Sequence, residues 1–350
     1  MYPRALCCLI MPLLKNLWQR VKDSFARLFP RKPPQPGHFV ADTKLAWRGF
    51  LAAMPWLAPQ RGYLVYVPAG LTDRWTFRRH PLLVLIHGCR QTPEDIAAGT
   101  RITHLADQNR FLVLLPRQHP RANSWGCWNW FDRATSRGWG ETAIVAAQIR
   151  AVRRAYRINK KRVFVAGMSS GGALAAALGV RRPDLVAGVF IHSGIACGAA
   201  SSPYAALGVL KNGADTDVLG IARHARDDAN PRALPVPLVA IQGGSDDAVA
   251  PINAVQLVRQ YLTLNGHPAA NTGPADALPP SDHSTAIKTA DGRMVTTSEW
   301  HIATRLVARH VLIEGLGHAW SGGDDHYPYH DSHLPDATAL LATFIAESVQ

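Results

Sequence analysis

The 350-residue chain has no run of 18 or more apolar residues, so no stretch of it reads as a membrane-spanning helix. Cysteine is scarce and odd in number: Cys7, Cys8, Cys89, Cys127 and Cys197. Such a set is not the framework of a small disulfide-rich protein. A single bridge, Cys89 to Cys127 for instance, is compatible with it, but spacing does not decide the pairing. No internal repeat is present, which excludes solenoids and propellers. Acidic residues are under-represented, 25 against 38 Lys and Arg, for a net charge of +13. No helix-turn-helix, zinc finger or aromatic RNA-binding signature accompanies that excess, so no nucleic-acid partner is expected.

The charge is concentrated. Residues 1–40 hold seven basic residues and one acid, Asp23. "ALCCLIMPLL" (5–14) has the look of a short signal core, yet no small-residue cleavage site follows it. Instead Leu14, Leu17, Trp18, Val21, Phe25 and Leu28 fall on one helical face with basic residues opposite. Two readings stand: a helix lying on an anionic membrane surface, or a loosely packed extension. "PRKPPQPG" (30–37) reads as a Pro-rich linker. The expected division is therefore an extension and linker over 1–40 and a catalytic domain over 41–350.

Apolar residues make up 47 % of the chain, enough for a large core. Strand-like runs occur at 63–68, 82–88, 111–116, 162–167, 185–194, 237–243 and 305–315. They are continuously apolar, as in strands buried on both faces of a parallel sheet. Helical patterns at about 93–109, 140–156, 171–181, 251–264 and 335–347 lie among them. This rhythm predicts a mostly parallel, doubly wound α/β sheet with helices on both faces. Two segments interrupt it. Residues 196–236 are expected to form an insertion or lid, and 265–293 a long loop. "RMVTTSEW" (293–300) is expected to form a hairpin with the strand that follows.

In such sheets the chemistry collects at the carboxyl ends of strands. Gly167-Met168-Ser169-Ser170-Gly171 follows one strand and opens a small-residue helix. It fits a nucleophile elbow, where a tight turn tolerates only glycine two residues either side of the serine. Ser169 has both glycines; Ser170 has Met168 instead. A serine needs a base, and His318, in "EGLGHAWSGG" after the last strand, is the candidate. The base needs a carboxylate to orient it. Asp246 and its neighbour Asp247 both follow the strand 237–243. An oxyanion hole would use the backbone N–H groups of Ser170 and Cys89, and His87 is expected to be structural. Trp128, Trp130 and Trp320 are assigned to a substrate surface, with core packing as the alternative. The Asp- and His-rich stretch 324–333 lacks metal-ligand spacing, so neither metal nor cofactor is expected.

At these residues the chain resembles the poly(3-hydroxybutyrate) depolymerase-like esterases of the α/β-hydrolase superfamily. The motifs are "LIHGCRQTPEDIA" (85–97), "CWNWFD" (127–132), "RGWGET" (137–142), "RVFVAGMSSGGALAA" (162–176) and "GLGHAWSGG" (315–323). The resemblance implies an α/β-hydrolase fold and a serine carboxylic-ester hydrolase working through an acyl-enzyme. Its substrates would be polyhydroxyalkanoates, their oligomers, or other short-acyl or feruloyl esters. It carries the nucleophile to Ser169, the base to His318 and the acid to Asp246, although the family's "HG-x-x-D" reads "QGGSD" here, with Gln242 in place of histidine. It also implies an extracellular or periplasmic location; the N-terminus, read alone, equally allows a cytoplasmic or membrane-associated protein. No substrate-binding domain is expected beyond the catalytic one, an expectation that favours soluble or small esters over crystalline polymer. A serine peptidase of the same superfamily and a non-catalytic binding protein are the competing functions, and pattern does not reveal the oligomeric state.

Overall fold

The computed structural model describes residues 36–42, 61–71 and 79–348. The amphipathic segment expected near the N-terminus, with Cys7 and Cys8, lies outside the described residues. In chain order the first elements are β1 (His38–Asp42), β2 (Tyr63–Val67), β3 (His80–Ile86), α1 (Pro93–Gly99), α2 (Ile102–Asn109) and β4 (Leu112–Pro116). There follow α3 (Arg133–Ser136), α4 (Gly140–Ala155), β5 (Ile158–Met168), α5 (Ser170–Arg181), β6 (Gly188–His192), α6 (Pro203–Asn212) and α7 (Val218–Asp228). The chain continues through β7 (Leu238–Gly243), α8 (Ile252–Leu264), β8 (His283–Lys288), β9 (Met294–Ile302) and β10 (Arg305–Ile313). It closes with β11 (Trp320–Ser321), β12 (His330–Asp331) and α9 (Ala337–Glu347).

Ten strands form one sheet in the order β1-β2-β4-β3-β5-β6-β7-β10-β9-β8. The run from β4 to β10 is parallel throughout, and β1, β2, β9 and β8 extend the two edges through antiparallel pairs. This is the mostly parallel α/β sheet that the alternating pattern predicts, in the α/β-hydrolase arrangement that the family resemblance implies. The continuous apolar strands have a direct cause. In β3, Leu82, Val84 and Ile86 face the layer built by α4, α5, α7 and α8, while Leu83 and Leu85 face the layer of α1, α2 and α9. Each buried leucine or isoleucine contributes about 1.5–3 kcal/mol relative to exposure.

In three places the structure adds detail that the pattern did not supply. The sheet begins at His38, so β1 crosses the expected boundary at residue 40. The expected loop 265–293 contains β8, a two-sided exposed edge strand, as well as a short 3-10 turn at Pro268–Asn271. The insertion 196–236 is two helices with different surroundings. α7 is packed into the core through Ala222 and Ala225, whereas α6 carries the exposed Tyr204 and Leu207. The hairpin of β9 and β10 forms as expected. Among the described residues no helix is long and apolar enough to cross a membrane.

Candidate active site

β5 lies mid-sheet between β3 and β6 and delivers Ser169 at its carboxyl end. Ser169 has φ 57° and ψ −123°, a left-handed conformation costly for a residue with a side chain. Its N–H donates to the His192 carbonyl at 3.0 Å, which anchors the turn to β6. The flanking glycines are explained by contact. A Cβ on Gly167 would fall 2.4 Å from the Gly171 carbonyl oxygen, and one on Gly171 would fall 2.3 Å from that of Ile86. Neither position has room for a methyl group.

β7 and β10 are adjacent and parallel, so their carboxyl-end loops meet. The Ser245 N–H donates to the Leu316 carbonyl at 3.0 Å, joining the two loops. There His318 Nδ1 lies 2.8 Å from Asp246 Oδ2. Asp246 Oδ1 accepts the N–H groups of Ala248 and Val249 at 3.0 and 2.8 Å. Gln242 Nε2 donates to Oδ2 at 3.3 Å and to the Val249 carbonyl at 2.9 Å. Burial alone would raise the Asp246 pKa, but the hydrogen bond and charge of His318, the Val249 N–H and the Ser193 hydroxyl together hold it below the usual range. Asp247, the competing acid, is exposed and lies beside Lys211, which donates to its carbonyl oxygen. Of the two aspartates, only Asp246 touches His318.

Ser169, Ser170, Met168, His318 and Cys89 line one cavity of about 560 Å³. The Ser169 hydroxyl has no hydrogen-bond partner among the described residues. Ser170, at the first turn of α5, is buried, and its hydroxyl accepts the Trp128 N–H at 3.3 Å. It also lies 3.4 Å from Cys89 Sγ. Cys89 is bonded to Cys127 and carries no hydrogen, so in that contact the hydroxyl is the donor. The disulfide, undecidable from spacing, closes the loop after β3 onto the loop before α3.

Two tryptophans assigned to the substrate surface do not reach the cavity. Trp128 is 0 % exposed and its indole N–H donates to the His87 carbonyl at 3.0 Å. Trp320 is also 0 % exposed, stacks on His192, and donates to Thr338 Oγ1 at 3.1 Å. Both are core residues because their one polar atom is satisfied inside. Trp130 does line the cavity, with Phe131, Trp125 and the apolar face of α6. Tyr329, whose ring meets that of His318 edge-on at 6.0 Å, lines it too. Sequence reasoning missed Tyr329, the α6 residues and the supports of Asp246, Ser193 and Gln242.

His87 is structural, as expected. Its Nδ1 donates to the Gly88 carbonyl at 2.8 Å and its Nε2 accepts the Gln118 N–H at 3.2 Å. Burial lowers its pKa to about 4, so the ring is neutral. Burial likewise lowers that of His192, beneath the elbow, to about 3. Asp324, Asp325 and His326 bring three ligand atoms within 4.8 Å of one another. His326 is paired with Asp324 at 2.8 Å at the exposed surface, apart from the cavity.

Comparison with known proteins agrees with this architecture. The chain is 29 % identical over 203 residues to poly(3-hydroxyalkanoate) depolymerase C of Paucimonas lemoignei, covering 57 % of this chain and 48 % of that protein. It is 25 % identical over 337 residues to the poly(3-hydroxybutyrate) depolymerase of Ralstonia pickettii, covering 89 % and 64 %. The chain thus spans about half to under two thirds of the length of these curated relatives. The acetyl xylan esterase from Aspergillus awamori shares the fold at a TM-score of 0.62 and 19 % identity, covering 80 % of this chain and 94 % of that one. The family model described as esterase PHB depolymerase matches residues 61–277, which include Ser169 and Asp246 and stop short of His318. Because that match takes in more than half of the residues, the chain belongs to the PHB depolymerase family of esterases.

Proposed function

We propose that the protein is a serine carboxylic-ester hydrolase. The observation that carries this reading is the 2.8 Å contact between His318 Nδ1 and Asp246 Oδ2 at the edge of a cavity that also holds Ser169 on its strained turn. With Nδ1 committed to Asp246, His318 Nε2 is the nitrogen free to act as base. It takes the Ser169 proton as Oγ attacks the ester carbonyl. The oxyanion is met by the N–H groups of Cys89 and Ser170, neither of which has a partner among the described residues. The imidazolium then protonates the departing alkoxide, leaving an acyl-enzyme. Water, deprotonated by His318, attacks the acyl carbon and releases the acid and Ser169. The hydroxyl rotates onto His318 when substrate fills the cavity; such contacts are often loose in unliganded sites.

The cavity, about 560 Å³, is in the range of small-ligand sites. That size favours short-acyl esters and oligomers of hydroxyalkanoic acids, the units of the polymer named in the relatives' descriptions. The Cys89–Cys127 disulfide supports an extracellular or periplasmic location, where such bonds persist.

The test is hydrolysis of 4-nitrophenyl butyrate. Ser169→Ala should reduce kcat by roughly 10⁴-fold or more, and Asp246→Asn by about 10²–10⁴-fold. Asp247→Asn should remain close to the unmodified enzyme. Retained turnover in the Ser169 variant rejects the mechanism. A panel adding peptide amides separates an esterase from a peptidase.

A further inference from the structure

The residue after Cys89 is Arg90, and it stands in the wall between two cavities. One is the catalytic cavity; the other, about 570 Å³, adjoins it and also includes Arg117, Gln118 and Ser124. Arg90, Gln91, Asn123 and Trp125 border both. The guanidinium of Arg90 lies over the Trp125 ring, 4.1 Å from its centre. Among the described residues it has neither a carboxylate partner nor a hydrogen bond. Arg117, the other cation of the second cavity, is committed to Glu94. Arg90 is therefore the uncommitted positive charge at this end of the site.

Its position is built rather than incidental. Arg90 has φ 58°, and its N–H donates to the Trp125 carbonyl at 2.8 Å. The Trp125 N–H in turn donates to Asn123 Oδ1 at 2.9 Å. The disulfide Cys89–Cys127 joins the same two loops one residue from Arg90 and two from Trp125. Stacking on the indole face orients the planar fork and leaves its edge free for two parallel hydrogen bonds. The catalytic cavity also has an apolar lining from Ala206, Leu207, Leu210 and Val249. An ester bound over Ser169 is therefore offered both an apolar surface and a preorganised cation within one cavity.

We propose that Arg90 is a specificity-determining residue that binds a carboxylate on the ester substrate. The fit is to an ester whose apolar chain enters under α6 and whose other end is a free acid, such as the carboxyl terminus of a hydroxyalkanoate oligomer. This rests on Ser169 being the nucleophile.

The test compares kcat/KM for the butyryl ester of 3-hydroxybutyric acid with that for its methyl ester. A parallel comparison sets the 4-nitrophenyl half-ester of glutaric acid against 4-nitrophenyl butyrate. The first pair carries the carboxylate on the alcohol side and the second on the acyl side, so the pair that responds identifies which side faces Arg90. The enzyme should prefer the acid in one pair. Arg90→Gln should lower that acid-to-neutral ratio about two- to fivefold, the range for one guanidinium–carboxylate pair open to water. Arg90→Lys should recover part of it, and Arg90→Glu should lower it further. The preference should also shrink as salt is raised. The proposal is overturned if the enzyme shows no preference for the acid in either pair, or if Arg90→Gln leaves the ratio unchanged. Because the ratio is taken within one variant, a general loss from misfolding does not move it. Loss of turnover on all four esters in Ser169→Ala, with an unmoved ratio in Arg90→Gln, would keep the esterase reading and reject this one.

Discussion

The two walls of the catalytic cavity are held by different means. On one side the loop 117–132 is closed by the Cys89–Cys127 bond and by the Arg90–Trp125 hydrogen bond. It is also tied to buried Glu141, which accepts from Gln118 Nε2 at 2.5 Å and from the Asn129 N–H at 2.6 Å. α6, which also lines the cavity, is attached by Ala206 and Val209 and by Asn253, which donates to the Val209 and Leu210 carbonyls. On that helix Tyr204 is 89 % exposed and Leu207 66 %. The stapled wall carries polar groups whose positions matter to within a fraction of an ångström. The helical wall offers only apolar surface, which tolerates change of shape. The contrast separates what positions the reaction from what selects the chain.

Removing the staple should have the largest effect. The bond closes a loop with a sequence separation of 38, and the chain-entropy estimate is about 4 kcal/mol. Replacing both Cys89 and Cys127 by alanine should therefore lower the urea midpoint strongly, with an unfolding slope that is the same or somewhat steeper because the unbridged unfolded chain exposes more surface. If stability barely moves, the hydrogen bonds alone hold that wall.

Acid should act on the same side. Burial holds His87 to a pKa of about 4, against an ordinary value near 6.5. Burial likewise holds His192 to about 3 and His310 to about 4. Between pH 6.5 and 4 the unfolded chain binds protons that these folded rings refuse, so the stability they provide is complete above pH 6.5 and is lost as pH falls. The loss should reach a few kcal/mol by pH 4, read from urea unfolding at each pH. Hydrogen exchange should show loop 117–132, packed on neutral His87, losing protection before α6. The reverse order would contradict the contrast.

The smallest effect belongs to α6. Leu207→Ala should change stability by no more than about 0.5 kcal/mol, because the side chain is mostly in water. It should lower the preference for hexanoyl over butyryl esters about two- to fourfold, near the value of one methylene contact. A loss of stability instead would make α6 a structural element like its neighbour α7.

The sheet was legible because its central strands are apolar on both faces, and seven runs of the sequence say so without ambiguity. β8 was not, since an edge strand exposed on both sides has no apolar face to set a period. Its neighbours Pro279 and Pro280 read as loop. Ser169 and His318 were legible from glycine spacing and from their places after strands. Spacing alone left Asp246 and Asp247 open, because adjacent residues after a strand differ only in which way they turn; the family resemblance favoured Asp246, which is the one beside His318 in the structure. The tryptophans were not legible in this way. Trp128 and Trp130 are two residues apart, yet one lies in the core and the other in the cavity. Nothing in an irregular loop supplies the period that would assign their faces.

Gly171 abuts the carbonyl oxygens of Ile86 and His87, at the root of the loop that carries Cys89. The turn bearing Ser169 and the loop bearing Cys89 therefore touch backbone to backbone, and neither can shift without moving the other. The proposed nucleophile and the proposed oxyanion donors are thereby set against one another through backbone contacts, with no side chain between them. On the proposed reading, a change of side chain at α6 or at Arg90 would alter which ester is accepted while leaving that backbone contact in place.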